Sequence, residues 1–199
     1  VFVFDAERKI ERIQLSERND AHKMIEECMI IANVAAARFL KKHKISALHR
    51  NHDKPSDDKI NDLRKFLAEF ALQLPGGDAP TPKDYAAVVQ QVMGRPDQHL
   101  LQTVLLRSMS QAMYSPDPEV GHFGLAQLDY AHFTSPIRRY PDLLVHRAIR
   151  HILRKGKTDD FYEYEDMVTL GEHCSMCERR ADEATRDAIM VDEFSFDST

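Results

Sequence analysis

The residues best placed to do chemistry lie in one run, His132-Phe133-Thr134-Ser135-Pro136-Ile137-Arg138-Arg139-Tyr140-Pro141-Asp142-Leu143-Leu144-Val145-His146-Arg147. It gathers two adjacent arginines, two histidines, a tyrosine and an aspartate around an expected helix start. Thr134 and Ser135 are suited to cap that helix and Pro136 to fill its first turn. A helix N-terminus presents N–H groups without partners and a partial positive charge, and arginine grips phosphate bidentately. The chemistry implied is recognition of an anion, best a phosphodiester. Arg138 and Asp142 stand four residues apart, as do Asp142 and His146, so a helix starting at Ser135 puts all three on one face. Asp142 then either holds Arg138 in position or forms an ordinary surface ion pair with it, worth about 0.3–0.5 kcal/mol.

The elements around this run must build a body large enough to hold it. At 199 residues, 43% hydrophobic and 30% charged, the chain is long enough for one core. No stretch approaches the roughly 20 apolar residues of a membrane span. The start, Val1-Phe2-Val3-Phe4-Asp5, has neither an initiator Met nor a signal peptide's basic region, as expected of a chain that begins inside a longer protein. Three cysteines, Cys28, Cys174 and Cys177, are too few for a disulfide framework and fit a cytoplasmic location. The net charge of −5 argues against nucleic acid, but its distribution argues for it. From Pro136 to Lys157 seven Lys and Arg residues face one acid, Asp142. A solvated helix face is the alternative explanation of that excess.

Alternation over Val1–Ile13 predicts an edge strand or hairpin. Asn19-Asp20 can cap a long helix whose apolar residues, Ala21, Met24, Ile25, Cys28, Met29, Ala32, Ala35, Ala36, Phe39 and Leu40, recur at steps of three and four to about His43. Its alanines at 32, 35, 36 and 37 admit close approach by another helix. A loop is expected over 47–55, carrying His49, Arg50, Asn51, His52 and Asp53. Helices are expected over 55–72, 82–93, 96–114, 135–155 and 164–187, with a turn-rich connector at 74–82 and a short extended piece at 121–130. That makes roughly 60% helix, above the average for globular chains: an α+β fold, predominantly helical. His173-Cys174 with Cys177 offers three potential zinc ligands, but the helical spacing and the missing second pair count against zinc.

The 132–147 run is similar to the signature of the RNase II/RNase R (RNB) family of 3′→5′ exoribonucleases. The stretch Arg18 to Asn33 resembles the family's long internal helix, and Glu178-Arg179-Arg180-Ala181-Asp182-Glu183-Ala184-Thr185-Arg186-Asp187 resembles the close of its catalytic domain. That last string and His52-Asp53-Lys54-Pro55 resemble the RNase R branch rather than the RNase II branch. The resemblance implies that residues 1–187 are the C-terminal, helical half of an RNB catalytic domain with a short N-terminal β segment. Residues 188–199 are an atypical tail outside it. It further implies processive hydrolysis of single-stranded RNA to nucleoside 5′-monophosphates by two Mg²⁺ ions, whose aspartate ligands lie upstream of this chain. Asp57-Asp58 and Asp159-Asp160 do not replace them, and no metal ligand is assigned here. The partners implied are single-stranded RNA and the N-terminal half of the catalytic domain, or a chain replacing it. The alternative is a non-catalytic RNA-binding or partner-binding fragment.

On this reading Arg138 contacts the scissile phosphate, and Arg139 meets a backbone phosphate or is structural. Asp142 and His146 support them from behind. Ser135, Tyr140 and Arg147 belong to the RNA-binding surface, as does Arg50. His49, where relatives carry an aromatic, either stacks on a base or is a plain loop residue. Glu178 and Glu183 are equal candidates for the acid that meets the terminal ribose. Glu26, Glu27 and Asn33 either line the RNA channel or are surface groups of their helix.

Overall fold

The computed structural model describes residues 2–4, 10–13, 18–154 and 161–196, and side chains for 18–154 and 161–188. Of the acids weighed above, Asp159 and Asp160 lie outside the described residues. Helices make up more than half of the described residues. At the N-terminus β1 (Phe2–Phe4) pairs antiparallel with β2 (Ile10–Ile13), the expected hairpin.

Helix α1 (Asp20–Lys42) begins and ends as its sequence predicts. Asn19 caps it reciprocally: its side chain accepts from the His22 N–H at 3.0 Å, and its own N–H reaches His22 Nδ1 at 3.3 Å. Asp20 in the first turn and Lys41 and Lys42 in the last oppose the helix dipole favourably. The apolar stripe is covered only in its second half. Val34, Ala36, Ala37 and Leu40 are buried, whereas Met24, Ile25, Cys28, Met29 and Ile31 are exposed. Small side chains decide the packing there, because Ala36 and Ala37 let α5 (Tyr140–Leu153) lay Val145 and Ala148 against α1.

Three shorter helices, α2 (Asp57–Glu69), α3 (Pro82–Val92) and α4 (Gln98–Ser108), form a lobe with its own core of Ile60, Leu63, Leu67, Tyr85, Val88, Val92, Leu101 and Leu105. A Thr81–Asp84 capping box and Pro82 in the first turn start α3. The lobe meets the body through Phe123, whose ring stands edge-on to Tyr85 at 5.7 Å.

Two expected irregular or helical regions are strands. β3 (His49–Asn51) interrupts the loop over 47–55, and β4 (Met113–Ser115) follows α4, which stops at Ser108 rather than Tyr114. They pair antiparallel, His49 opposite Ser115 and Asn51 opposite Met113. The extended piece expected at 121–130 is a 3₁₀ turn at Phe123–Leu125 with single bridges around His122. Strands this short carry no readable alternation; they exist because a partner more than 60 residues away supplies the hydrogen bonds.

The last helix, α6 (Tyr164–Phe196), runs past residue 187, so residues 188–196 of the segment expected to be an atypical tail continue the helix backbone. It lies on β4: the Tyr114 N–H donates to Ser175 Oγ at 2.9 Å, and Leu48, Tyr114, Leu144 and Met167 close the core between them. Gly171 permits this contact, since a Cβ there would stand 2.5 Å from the Tyr114 carbonyl oxygen. Alanine in place of a mid-helix glycine ordinarily favours a helix by about 1 kcal/mol. Here the clash with backbone wins. Gly171→Ala is expected to destabilise the chain by about 1–3 kcal/mol, read from the urea unfolding midpoint.

Candidate nucleic-acid interface

The signature run does not start a helix at Ser135. Residues 134–139 form a turn in which the N–H groups of Arg138 and Arg139 both donate to the Ser135 carbonyl, at 3.3 and 3.0 Å. Helix α5 begins only at Tyr140, with Arg139 as its N-cap and Pro141 in the first turn. Pro141 was the overlooked signal. A helix from Pro136 would have placed it where a backbone N–H is required, and proline has none.

That shift changes which arginine the aspartate holds. Asp142 Oδ1 accepts from the Ser135 N–H and from Arg139 Nη2, each at 2.8 Å, and the residue is 0% exposed. The expected Arg138–Asp142 pair on one helix face is therefore corrected: Arg138 precedes the helix, and Asp142 pairs with Arg139. Arg138 is exposed, with no hydrogen bond or ion pair to its side chain among the described residues. Neighbouring Ile137 is 102% exposed.

Two further groups hold the turn from behind. His146 donates from Nε2 to the Phe133 carbonyl at 2.8 Å and stacks on the Phe133 ring at 4.2 Å. Buried Asn33, from α1, accepts from the Phe133 N–H at 2.9 Å and donates to the Tyr130 hydroxyl at 3.0 Å. Asn33 is thus neither a channel residue nor a surface group. The sequence marked it only as a polar residue on an apolar stripe, and a buried amide needs such partners.

Beside the turn, Arg50 lies over the Tyr114 ring at 4.6 Å and donates to Glu178 Oε2 at 2.7 Å. This brings Arg50 and Glu178 together from β3 and α6. Glu183, one of the two acids weighed for the terminal ribose, is exposed further along α6 and makes no such contact among the described residues. The Tyr114 hydroxyl lies 2.9 Å from His132 Nδ1. Rings of His122, Tyr130 and His132 follow in edge-on contact at 5.1 and 5.9 Å. Sequence reasoning set His132 in the signature run without a role of its own and missed its partner Tyr114, because the partnership depends on the β3–β4 pairing.

His49 is corrected as well. It is 4% exposed within β3, so it is not available to stack on a base. Tyr140 and Arg147 are exposed on α5, the Arg147 guanidinium 5.9 Å from the Tyr140 ring. Glu26 pairs with Arg18 on the surface, and Glu27 is exposed. Cys177 Sγ lies 3.5 Å from His173 Nε2 along α6. The described residues bring together no three His, Cys, Asp or Glu side chains able to hold a metal ion.

Burial sets the proton balance. Desolvation, then the charges of Arg139 and Arg50, push His132 down to about 3. Desolvation, then the charge of His52, lowers His122 to about 4, and desolvation lowers His49 to about 4. Desolvation raises Tyr114 to about 12, so its hydroxyl keeps its proton. The site is positive through guanidinium groups, not imidazolium, and Arg138 and Arg139 immediately precede the first turn of α5: an arrangement fit to bind phosphate.

Two outcomes are expected. Asp142→Ala strands the Arg139 charge and the Ser135 N–H and should cost about 3 kcal/mol of unfolding free energy. Because His49, His122 and His132 take up protons less readily folded than unfolded, the unfolded chain binds more protons as pH falls through the ordinary histidine value of 6.5. Their contribution is full above about pH 6.5 and is lost towards pH 4. Urea midpoints measured between pH 7 and 5 should therefore fall with pH, and a flat profile would contradict the burial of these rings.

Comparison with known proteins gives a consistent answer. The RNB domain family model matches residues 1–155. Ribonuclease R of Escherichia coli (strain K12) is 59% identical over 195 residues, a match covering 94% of this chain and 24% of that protein. Ribonuclease R of Vibrio parahaemolyticus is 54% identical over 196 residues, covering 94% and 23%. The structure of Mycoplasma genitalium RNase R in complex with ribose-methylated single-stranded RNA superposes with a TM-score of 0.84 at 28% identity, covering 94% of this chain and 30% of that one. The chain thus spans about a quarter of the length of the curated relatives it matches. No described helix is long and apolar enough to cross a membrane. Signature turn, helical architecture and matching relatives agree: the chain belongs to the RNB family.

Proposed function

We propose that this chain is part of a cytoplasmic 3′→5′ exoribonuclease that hydrolyses single-stranded RNA processively to nucleoside 5′-monophosphates. The observation that carries the reading is the Arg138–Arg139 turn. One guanidinium is fixed by a buried carboxylate and the other, unpaired among the described residues, stands exposed at a helix start. The solved RNase R structures with single-stranded and double-stranded RNA support RNA as the ligand. Arg138 contacts the scissile phosphate, where charge builds as the bond to the leaving oxygen lengthens. Arg139, Arg50, Ser135, Tyr140 and Arg147 line the RNA path, with Glu178 or Glu183 at the terminal ribose.

The donor set among the described residues does not fit a pair of Mg²⁺ ions. The metal ligands belong to an upstream segment, and this chain alone is inactive. A second reading, a non-catalytic segment that binds RNA or a partner, draws on the exposed Met24, Ile25 and Ile31 of α1, a face suited to packing against another unit.

Incubation with 5′-labelled single-stranded RNA and Mg²⁺ separates these. A ladder of shortened products from this chain alone would overturn the upstream metal site. Cleavage only when the upstream segment is supplied supports the enzyme reading, and salt-sensitive binding with no cleavage in either case supports the second. In the cleaving form, Arg138→Ala should lower turnover by about 10²–10³-fold with RNA affinity changed only severalfold. An unaltered rate would remove Arg138 from the chemistry.

A further inference from the structure

His132 carries out no task in the reading above, yet its surroundings are specific. It lies at the head of the arginine turn, and the residue is partly exposed. Its Nδ1 is 2.9 Å from the Tyr114 hydroxyl, while Nε2 makes no hydrogen bond among the described residues. The Tyr114 residue is buried, and Nδ1 is the one hydrogen-bond partner of its hydroxyl among the described residues. A buried hydroxyl proton needs an acceptor. We therefore assign the hydroxyl as donor and Nδ1 as acceptor, which leaves the imidazole proton on Nε2. The opposite tautomer would strand the hydroxyl proton in the core.

The ring is also kept uncharged. Burial and the neighbouring charges of Arg139, Arg50, His122 and Arg138 hold it neutral down to about pH 3. The tautomer persists because Tyr114 is itself pinned, by the Arg50 guanidinium over its ring and by its N–H on Ser175. The result is a fixed, neutral N–H donor on the side of the ring away from Tyr114, in a ring that feels the charges of Arg139, Arg50 and Arg138.

We propose that His132 Nε2–H donates a hydrogen bond to a backbone phosphate oxygen of bound RNA, with Tyr114 fixing the tautomer that makes this possible. The proposal rests on the RNA reading of the arginine turn. A neutral donor has a distinct use there: it adds direction to guanidinium charges that attract phosphate from any approach.

The test uses the 199-residue chain, ¹⁵N-labelled in its imidazoles, titrated with a short fluorescent oligoadenylate without metal so that the RNA stays intact. At saturation the His132 Nε2 resonance should move while Nδ1 stays, and the free-state shifts should report the Nε2–H tautomer. His132→Gln, which keeps an N–H donor at the ε position, should bind within about twofold of the parent. His132→Asn, which keeps a polar group only at the δ position, should bind about tenfold or more weakly. If the parent chain binds in a salt-sensitive manner but Nε2 does not move, or the two variants bind alike, the proposal is overturned and the RNA reading stands. If the parent chain does not bind the oligonucleotide, the RNA reading fails and His132 falls with it. The parent's resonance shift decides the matter even where a variant does not fold.

Discussion

The Asp142 carboxylate is the constraint on which the arginine turn depends. A carboxylate wholly removed from water is costly unless it is paired and hydrogen-bonded. Asp142 meets that demand with the Ser135 N–H and the Arg139 guanidinium through a single oxygen. Its other oxygen and Arg139 Nε have no partner among the described residues. The geometry is therefore over-determined on one side and incomplete on the other. One anionic oxygen folds the turn back onto the first turn of α5, delays the helix to Tyr140 and leaves Arg138 outside it. His146 and Asn33 then fix Phe133 from two other directions, so the backbone entering the turn has little freedom left.

A second network couples that turn to the rest of the molecule. Arg50 from β3, Tyr114 from β4 and Glu178 from α6 touch in sequence, and Tyr114 passes the connection to His132. Gly171 and Ser175 place α6 close enough for this to happen. In this array the Arg50 charge is met by the Glu178 carboxylate and by the face of the Tyr114 ring, while burial keeps the His132 ring neutral, so no unpaired charge is left in it.

How much was legible followed the range of each interaction. The bounds of α1 were readable because Asn19 and His22 are three residues apart and the cap is local. The start of α3 is equally local, in Pro82 and Asp84. The family resemblance was readable because the signature is contiguous. What failed was non-local or a competition between local signals. Ser135 and Pro136 looked like a helix start, while the true start was set by Asp142 reaching back seven residues and by Pro141. β3 and β4 were invisible because each needs the other. The burial of His49 followed from that pairing, so its expected contact with a base could not survive it.

The three-helix lobe has a different consequence. It occupies the chain between β3 and β4, and its two ends nearly touch: Ser110 Oγ donates to the Lys54 carbonyl at 2.8 Å, and His52 Nε2 donates to the Ser110 carbonyl at 2.6 Å. The lobe is thus an insertion clasped at its neck. The entropy of closing such a loop grows only slowly with its length. Residues could be gained or lost within the lobe over evolutionary time while the strands at its neck, and the arginine turn beyond them, keep their register.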